Sequence, residues 1–256
     1  MITIDLSGKT ALVTGATGQL GRTLSKRLAQ SGADVILCYH SNEKKAMELS
    51  ETLSAECGVR TFPVQANIRD YQSICQMRDK LEKEFALPDI IVNCAVSQYQ
   101  WVSILEQPIE DYQDQFETTV LHNVAMIKAF VPHMQKKGWG RVIGINTECA
   151  MQCTPTQSAY AAGKRGMDAI YRVLAREIGK CGITVNQIAP GWTFSDYERE
   201  NGSKDINNNY ASSVPLGHRG TDDDIANALI FLASDLASFI SGVYLPVCGG
   251  NVMPAI

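Results

Sequence analysis

The stretch Thr10–Gly32, "TALVTGATGQLGRTLSKRLAQSG", sets the architecture. It opens with a continuous apolar run, passes through glycines at 15, 18 and 21, and carries Leu20, Leu24 and Leu28 at helical spacing. An unbroken apolar run marks a strand buried on both faces, as in a parallel sheet. Leucines every four residues mark a helix with one apolar face, and Gly32 supplies a stop. A strand, then glycines, then a helix start is the geometry that holds a pyrophosphate. Glycine lets the backbone come close, and free amides plus the helix dipole attract negative charge. The residues expected against such a ligand are Gly15, Thr17, Gly18, Gln19, Leu20 and Gly21.

The rhythm repeats. Apolar runs begin at Asp34 (DVILCY), Val59 (VRTFPV), Asp89 (DIIVN), Gly140 (GRVIGIN), Ile183 (ITVNQIA) and Gly242 (GVYLPV), with helical patterns between them. The sequence therefore predicts an α/β fold, a Rossmann-like doubly wound parallel sheet of about seven strands. Residues 1–256 read as a single domain. At 45% apolar and 20% charged residues, the chain holds enough material for a sizeable core. One segment breaks the pattern: Ser195–Pro215 is polar, rich in Asn and Ser, and too long for a turn. It reads as a substrate lid at about 193–215.

Lys and Arg number 23 against 27 Asp and Glu, a net charge of −4, and no basic tract occurs. Nucleic acid is excluded as an expected partner. Asp5 and Lys9 precede the first apolar run, unlike a signal peptide, and no apolar run approaches the roughly 18 residues of a membrane helix. A cytoplasmic protein with no membrane partner is expected. The eight cysteines include no CxxC, and Cys149 and Cys153 are the nearest pair, so reduced thiols and no metal site are expected.

In dinucleotide folds an acidic residue at the end of strand two grips the adenosine ribose. Here that strand ends "LCYHSNEKK", and Cys38 and Tyr39 hold the candidate positions. Without a carboxylate, a 2′-phosphate meets no like charge. NADP(H) is thus the preferred expectation and NAD(H) a possible one. His40, Ser41 and Lys44 offer contacts to that phosphate, although Lys44 and Lys45 equally suit the exposed face of the next helix.

After the turn-like "TPTQS", "AYAAGKRGMDAIYRVLAREIG" reads as a helix that puts Tyr160 and Lys164 on one face near its start. A free phenol has a pKa near 10 and is a poor base at neutral pH. Lowering it by three units takes about 4 kcal/mol. A nearby ammonium, a helix N-terminus and a cationic cofactor all act in that direction.

The pair stands beside "TGATGQLG", "VNCA", the "HN" of "VLHNVAMIKAFVPHM", "VNQIAPG" and "PLGHRGTDDDIANALIFLASDLASFISGVYLPVCGG". In that combination the chain resembles, over essentially its whole length, the short-chain dehydrogenase/reductase family in its compact form, 3-oxoacyl-carrier-protein reductases in particular. The resemblance implies a homotetrameric, NAD(P)H-dependent oxidoreductase that moves hydride between nicotinamide and a carbonyl or hydroxyl carbon. It implies Tyr160 as the acid/base, Lys164 as the ribose ligand that lowers the tyrosine pKa, and Asn123 as the anchor of a relay water. Thr147, where the family usually has serine, would bond the substrate oxygen. Asn67 and Ile68 would flank adenine. Asn93 and Ala95 would lie near the nicotinamide, and Pro190, Gly191, Thr193 and Ser195 along its amide.

The departures are specific. Gln19 replaces the middle glycine, "NCAV" replaces "NNAG", Asn67 replaces aspartate, Ser195 replaces threonine, and "VCGG" replaces "VDGG". They leave open a second reading, a nucleotide-binding scaffold or redox sensor of weak catalytic power. The substrate pocket is expected from loops after strands four, five and six. These offer Gln98, Tyr99 and Trp101, then Glu148, Met151 and Gln152, then Trp192, Phe194 and Tyr197. Trp101 and Trp192 equally suit the core. Aromatic faces mixed with amides fit a polar or ring-bearing carbonyl compound, of the 3-oxoacyl or the sugar and polyol kind.

Overall fold

The apolar runs form strands because both faces of the sheet they build are covered. The structure is a computed structural model that describes residues 3–97, 99–202 and 209–254. Its strands are β1 (Thr10–Thr14), β2 (Asp34–Tyr39), β3 (Thr61–Gln65), β4 (Ile90–Asn93), β5 (Gly140–Ile145), β6 (Ile183–Pro190) and β7 (Tyr244–Val247). They pair in the order β3-β2-β1-β4-β5-β6-β7, every pair parallel. The helices are α1 (Gln19–Gln30), α2 (Glu43–Cys57), α3 (Tyr71–Glu84), α4 (Ile109–Gln115), α5 (His122–Lys137), α6 (Cys149–Gln152), α7 (Ser158–Ile178), α8 (Asp196–Asn201), α9 (Asn209–Ser213) and α10 (Asp222–Ala233).

Neighbouring residues on each strand feed opposite cores. Val13, Leu37, Val92, Ile143 and Ile188 pack under α1 and α10, against Leu24, Leu28, Ile225 and Leu229. Leu12, Ile36, Ile91, Val142 and Val185 pack under α3, α5 and α7, against Ile74, Met126, Phe130, Met167 and Tyr171. This is the doubly wound sheet that the sequence predicts. β3 and β7 begin two residues later than their apolar runs, at Thr61 and Tyr244. Before β7, Gly242 has a φ of 80°, which no extended strand adopts.

The chain runs outward from β1 to β3, then returns to β4 on the other side of β1. Crevices open at such a reversal, outside the carboxyl ends of the strands. Two features shape the walls there. Gly15 turns with a φ of 68°, and a Cβ on Gly21 would run into the Gly15 carbonyl oxygen, so α1 rises directly against the glycine turn. Between α4 and α5, Phe116–Leu121 forms a π turn, a rare distortion that tends to accompany sites.

The polar segment expected as a lid is not an open loop along its described part. Ser195 caps α8, its hydroxyl accepting the Glu198 N–H at 3.1 Å, while the Ser195 N–H donates to the Glu198 carboxylate at 2.9 Å. The S-x-x-E spelling at 195–198 is the sequence signature of that capping box. Residues 203–208 lie outside the described residues.

Candidate active site

A cavity of about 740 Å³ occupies the crevice. Its floor is the glycine turn, where the N-cap Gly18 brings no side chain to cap the first N–H groups of α1. Gly15, Thr17, Gly18, Gln19, Leu20 and Gly21 line it. At one end it meets Tyr39, His40 and Ser41, and beside them Asn67 and Ile68. Ala95 and the segment Pro190, Gly191, Trp192, Thr193 and Ser195 form the far walls. Thr147, Tyr160 and Lys164 close the other end.

Lys164 is 3% exposed. Its ammonium donates to the Ile145 carbonyl at 2.6 Å and sits 5.7 Å from the centroid of the Tyr160 ring. Burial pushes its pKa down to about 8. Burial also pushes the Tyr160 phenol above its ordinary value, and a hydrogen bond with Thr147 works against that. Without another charge nearby, Tyr160 is a neutral phenol, a proton donor rather than a base. Asn146 fixes the geometry. Its Nδ2 donates to the Lys164 carbonyl at 3.0 Å and to Gln187 Oε1 at 2.7 Å, and its Oδ1 accepts the Thr147 N–H at 2.9 Å. Tyr244 donates from below to the Thr147 carbonyl.

Other expected residues lie elsewhere. Asn123 and Asn93 are buried and do not line the cavity. Asn123 Oδ1 accepts from Asn93 Nδ2 and from Tyr171 Oη, both at 2.7 Å. Next to it, burial pushes the His122 imidazole down to about 4, so His122 adds no second cation beside Lys164. Gln152 is exposed on α6, and Glu148 is buried beside the cavity. The Glu148 carboxylate accepts from Tyr210 Oη at 2.5 Å and from Asn251 Nδ2 at 3.1 Å, which ties α9 and the C-terminal segment to the site. Trp101 is 61% exposed and stacks on Tyr99 at 6.4 Å, and Tyr99 stacks on Tyr160 at 5.4 Å. The Arg219 guanidinium lies over the rings of Trp192 and Phe194, and it holds the Glu198 carboxyl down to about 2. Tyr197 is exposed, Met151 is half-buried, and Gln98 lies outside the described residues.

Lining residues that the sequence reading missed include Arg69, Cys94, Val96, Ser97, Thr118 and Asn146. Asn146 carried a signal, a polar residue at the buried end of a parallel strand. Arg69 follows Asn67 and Ile68 directly, but its charge is paired with Asp114 and Glu117.

A parallel sheet with a glycine turn at its reversal, and a tyrosine and buried lysine one helical turn apart, defines a class of NAD(P)-dependent oxidoreductases. Residues 15–251 match the family model described as enoyl-(acyl carrier protein) reductase, and the chain belongs to the short-chain dehydrogenase/reductase family. It is 36% identical over 250 residues to a 3-oxoacyl-(acyl-carrier-protein) reductase of Escherichia coli, covering 98% of this chain and 100% of that one. A reductase of the same name from Staphylococcus epidermidis is 32% identical over 246 residues, covering 96% and 99%. The structure of a gluconate 5-dehydrogenase from Burkholderia cenocepacia, in complex with NADP and tartrate, matches with a TM-score of 0.90 at 26% identity over 97% of this chain and 96% of that one. A short-chain type dehydrogenase/reductase from Mycobacterium ulcerans matches with a TM-score of 0.90 at 25% identity, covering 96% and 90%.

The depressed lysine has a consequence for stability. Unfolded, Lys164 titrates near 10.5; folded, near 8. Between those values the unfolded chain binds more protons, so this residue makes stability rise with pH; below 8 its burial penalty stands in full. The unfolding free energy of Lys164→Met minus that of the wild type is therefore expected to be largest below pH 8 and to shrink toward pH 10. Denaturant titrations across that range check it, and a pH-independent difference would refute it.

Proposed function

We propose that the chain is an NADP(H)-dependent carbonyl reductase with Tyr160 as its acid/base. The observation that carries this reading is the buried Lys164 ammonium 5.7 Å from the Tyr160 ring, with Thr147 lining the same end of a dinucleotide-sized cavity. The residues present fit the cofactor. The glycine turn is a cradle that a Cβ would fill, and neither Cys38 nor Tyr39 sets a carboxylate where a 2′-phosphate would lie. His40 and Ser41 are the groups that line the cavity on that side. NAD(H) remains the second ligand this site accommodates. The bound dinucleotide supplies the hydride.

The chain supplies the proton and the charge balance. Tyr160 gives its phenolic proton to the carbonyl oxygen of the substrate. Lys164, held in place by Ile145, stabilises the phenolate that results. The Thr147 hydroxyl, fixed through Asn146 and Tyr244, donates a hydrogen bond to the same substrate oxygen. In the reverse direction a positive charge arriving beside the pair lowers the phenol pKa and makes Tyr160 a base. Asn123 acts through Asn93 and Tyr171, behind the cavity. Thr17, Asn67, Ile68, Ala95, Pro190, Gly191, Thr193 and Ser195 hold the dinucleotide along its length.

The substrate enters on the side of Tyr99, Trp101 and Trp192, whose rings suit a polar carbonyl compound. A 3-oxoacyl thioester and a keto-sugar or polyol are the two substrate classes favoured, in keeping with the names of the relatives. Residues 1–256 act as one domain, with α8 and α9 as the described parts of a lid. A cytoplasmic location fits two observations: no described helix is long and apolar enough to cross a membrane, and all eight cysteines are free.

Tyr160→Phe removes only the proton donor. Turnover of a 3-oxoacyl thioester or keto-sugar with NADPH should fall by about 10²–10⁴, while NADPH affinity in a fluorescence titration stays near that of the wild type. Turnover retained in the variant would end this reading. The assembly proposed is a homotetramer built on α4, α5 and α7 and on the last strand with its neighbouring helix; Ile109 on α4, Phe116 and Leu121 on the π turn before α5, and Val173 on α7 stand exposed. Sedimentation at micromolar concentration should give a single species of four chains, and monomer alone would refute it.

A further inference from the structure

Gln19 opens α1 at a position where compact members of the family keep glycine, and its carboxamide is engaged across the cavity mouth. Its Oε1 accepts the Asp196 N–H at 3.0 Å. Its Nε2 donates to the Phe194 carbonyl at 2.5 Å and to the two oxygens of the Asp222 carboxylate at 3.0 and 3.1 Å. Phe194 and Asp196 flank Ser195, the N-cap of α8, and Asp222 opens α10, so one side chain joins three elements that are remote in sequence. The site demands a donor and an acceptor on one planar group at the end of two methylenes. Glutamine meets that demand; ionised glutamate offers only acceptors, and would set them against a carbonyl and a carboxylate.

The neighbours reinforce the junction. One turn along α1, the Arg22 guanidinium pairs with Asp196 at 2.6 Å and donates to the Thr17 carbonyl at 3.1 Å. Arg199 on α8 pairs with Asp222 at 2.7 Å and with Asp196 at 3.2 Å. Two carboxylates and two guanidiniums thus balance around the carboxamide. Thr193 and Ser195 line the cavity on one side, and Gly15 and Thr17 to Gly21 on the other. Gln19 fastens those two walls together.

We propose that Gln19 is a positioning residue, a clasp that closes segment 193–196 over the dinucleotide, so that cofactor leaves only when these hydrogen bonds open. This inference rests on the dinucleotide reading above. It assigns the side chain a task that the glycine of the ordinary motif cannot perform.

The test is stopped-flow release of NADPH, followed by nicotinamide fluorescence after displacement by excess NADP⁺. It compares wild type, Gln19→Glu and Gln19→Met, both of which keep the length of the half-buried side chain. Release should quicken by about tenfold in each variant, on the order of one hydrogen bond to a charged group, while the association rate changes less than about threefold. A merely structural lesion would not produce the second signature. In Gln19→Glu, relative to wild type at each pH, the acceleration should shrink as pH falls, because a protonated glutamic acid regains a donor beside Asp222, Asp196, Arg22 and Arg199. Gln19→Met should show no such rescue. Release rates within about twofold of wild type in both variants would overturn the clasp alone. Failure of the wild type to bind either dinucleotide would overturn the underlying reading together with it.

Discussion

The structure turns on one buried charge. Lys164 carries an ammonium into a site where almost no surface reaches water, and it has one backbone carbonyl, that of Ile145, to satisfy it. Such a group is unfavourable unless the surroundings make use of it. Here the strand β5 ends so that Ile145, Asn146 and Thr147 present a carbonyl, a carboxamide and a hydroxyl in succession. The carboxamide of Asn146 binds the backbone of Lys164 and the backbone of Thr147 at once. The distance between the ammonium and the hydroxyl is therefore set by β5, α7 and β6 together, through Gln187.

The same burial acts on Tyr160 in the opposite sense. A low-dielectric site disfavours both the lysine cation and the tyrosine anion, so the pair rests as a half-charged system. A chain in this state is ready to give a proton to a carbonyl. It becomes ready to accept one only when a further positive charge is bound. In the proposed reaction this burial favours proton donation by Tyr160 until an oxidised nicotinamide is bound.

Much of this was legible in the sequence. The strands could be read because a parallel sheet buries both faces, so each strand is a plain apolar run; TALVT and DVILCY coincide with β1 and β2. The face shared by Tyr160 and Lys164 follows from helical geometry alone. Side-chain traffic between distant elements was not legible. Gln19 reaches Phe194 and Asp222, and Glu148 reaches Tyr210 and Asn251, through hydrogen bonds that no local pattern encodes. The bonds that Asn123 accepts from Asn93 and Tyr171 are of the same kind. The exposure of Trp101 and Gln152 was not legible either, because loop position alone does not say which way a side chain faces.

The central claim is that burial holds Tyr160 as a neutral phenol until a positive charge binds beside it. An ultraviolet absorbance titration of the wild type, corrected by the same titration of Tyr160→Phe, isolates this one phenol among nine tyrosines. Without ligand, Tyr160 should remain protonated past the ordinary value near 10. With saturating NADP⁺, its midpoint should fall by about two units or more. An identical midpoint with and without NADP⁺ would contradict the account.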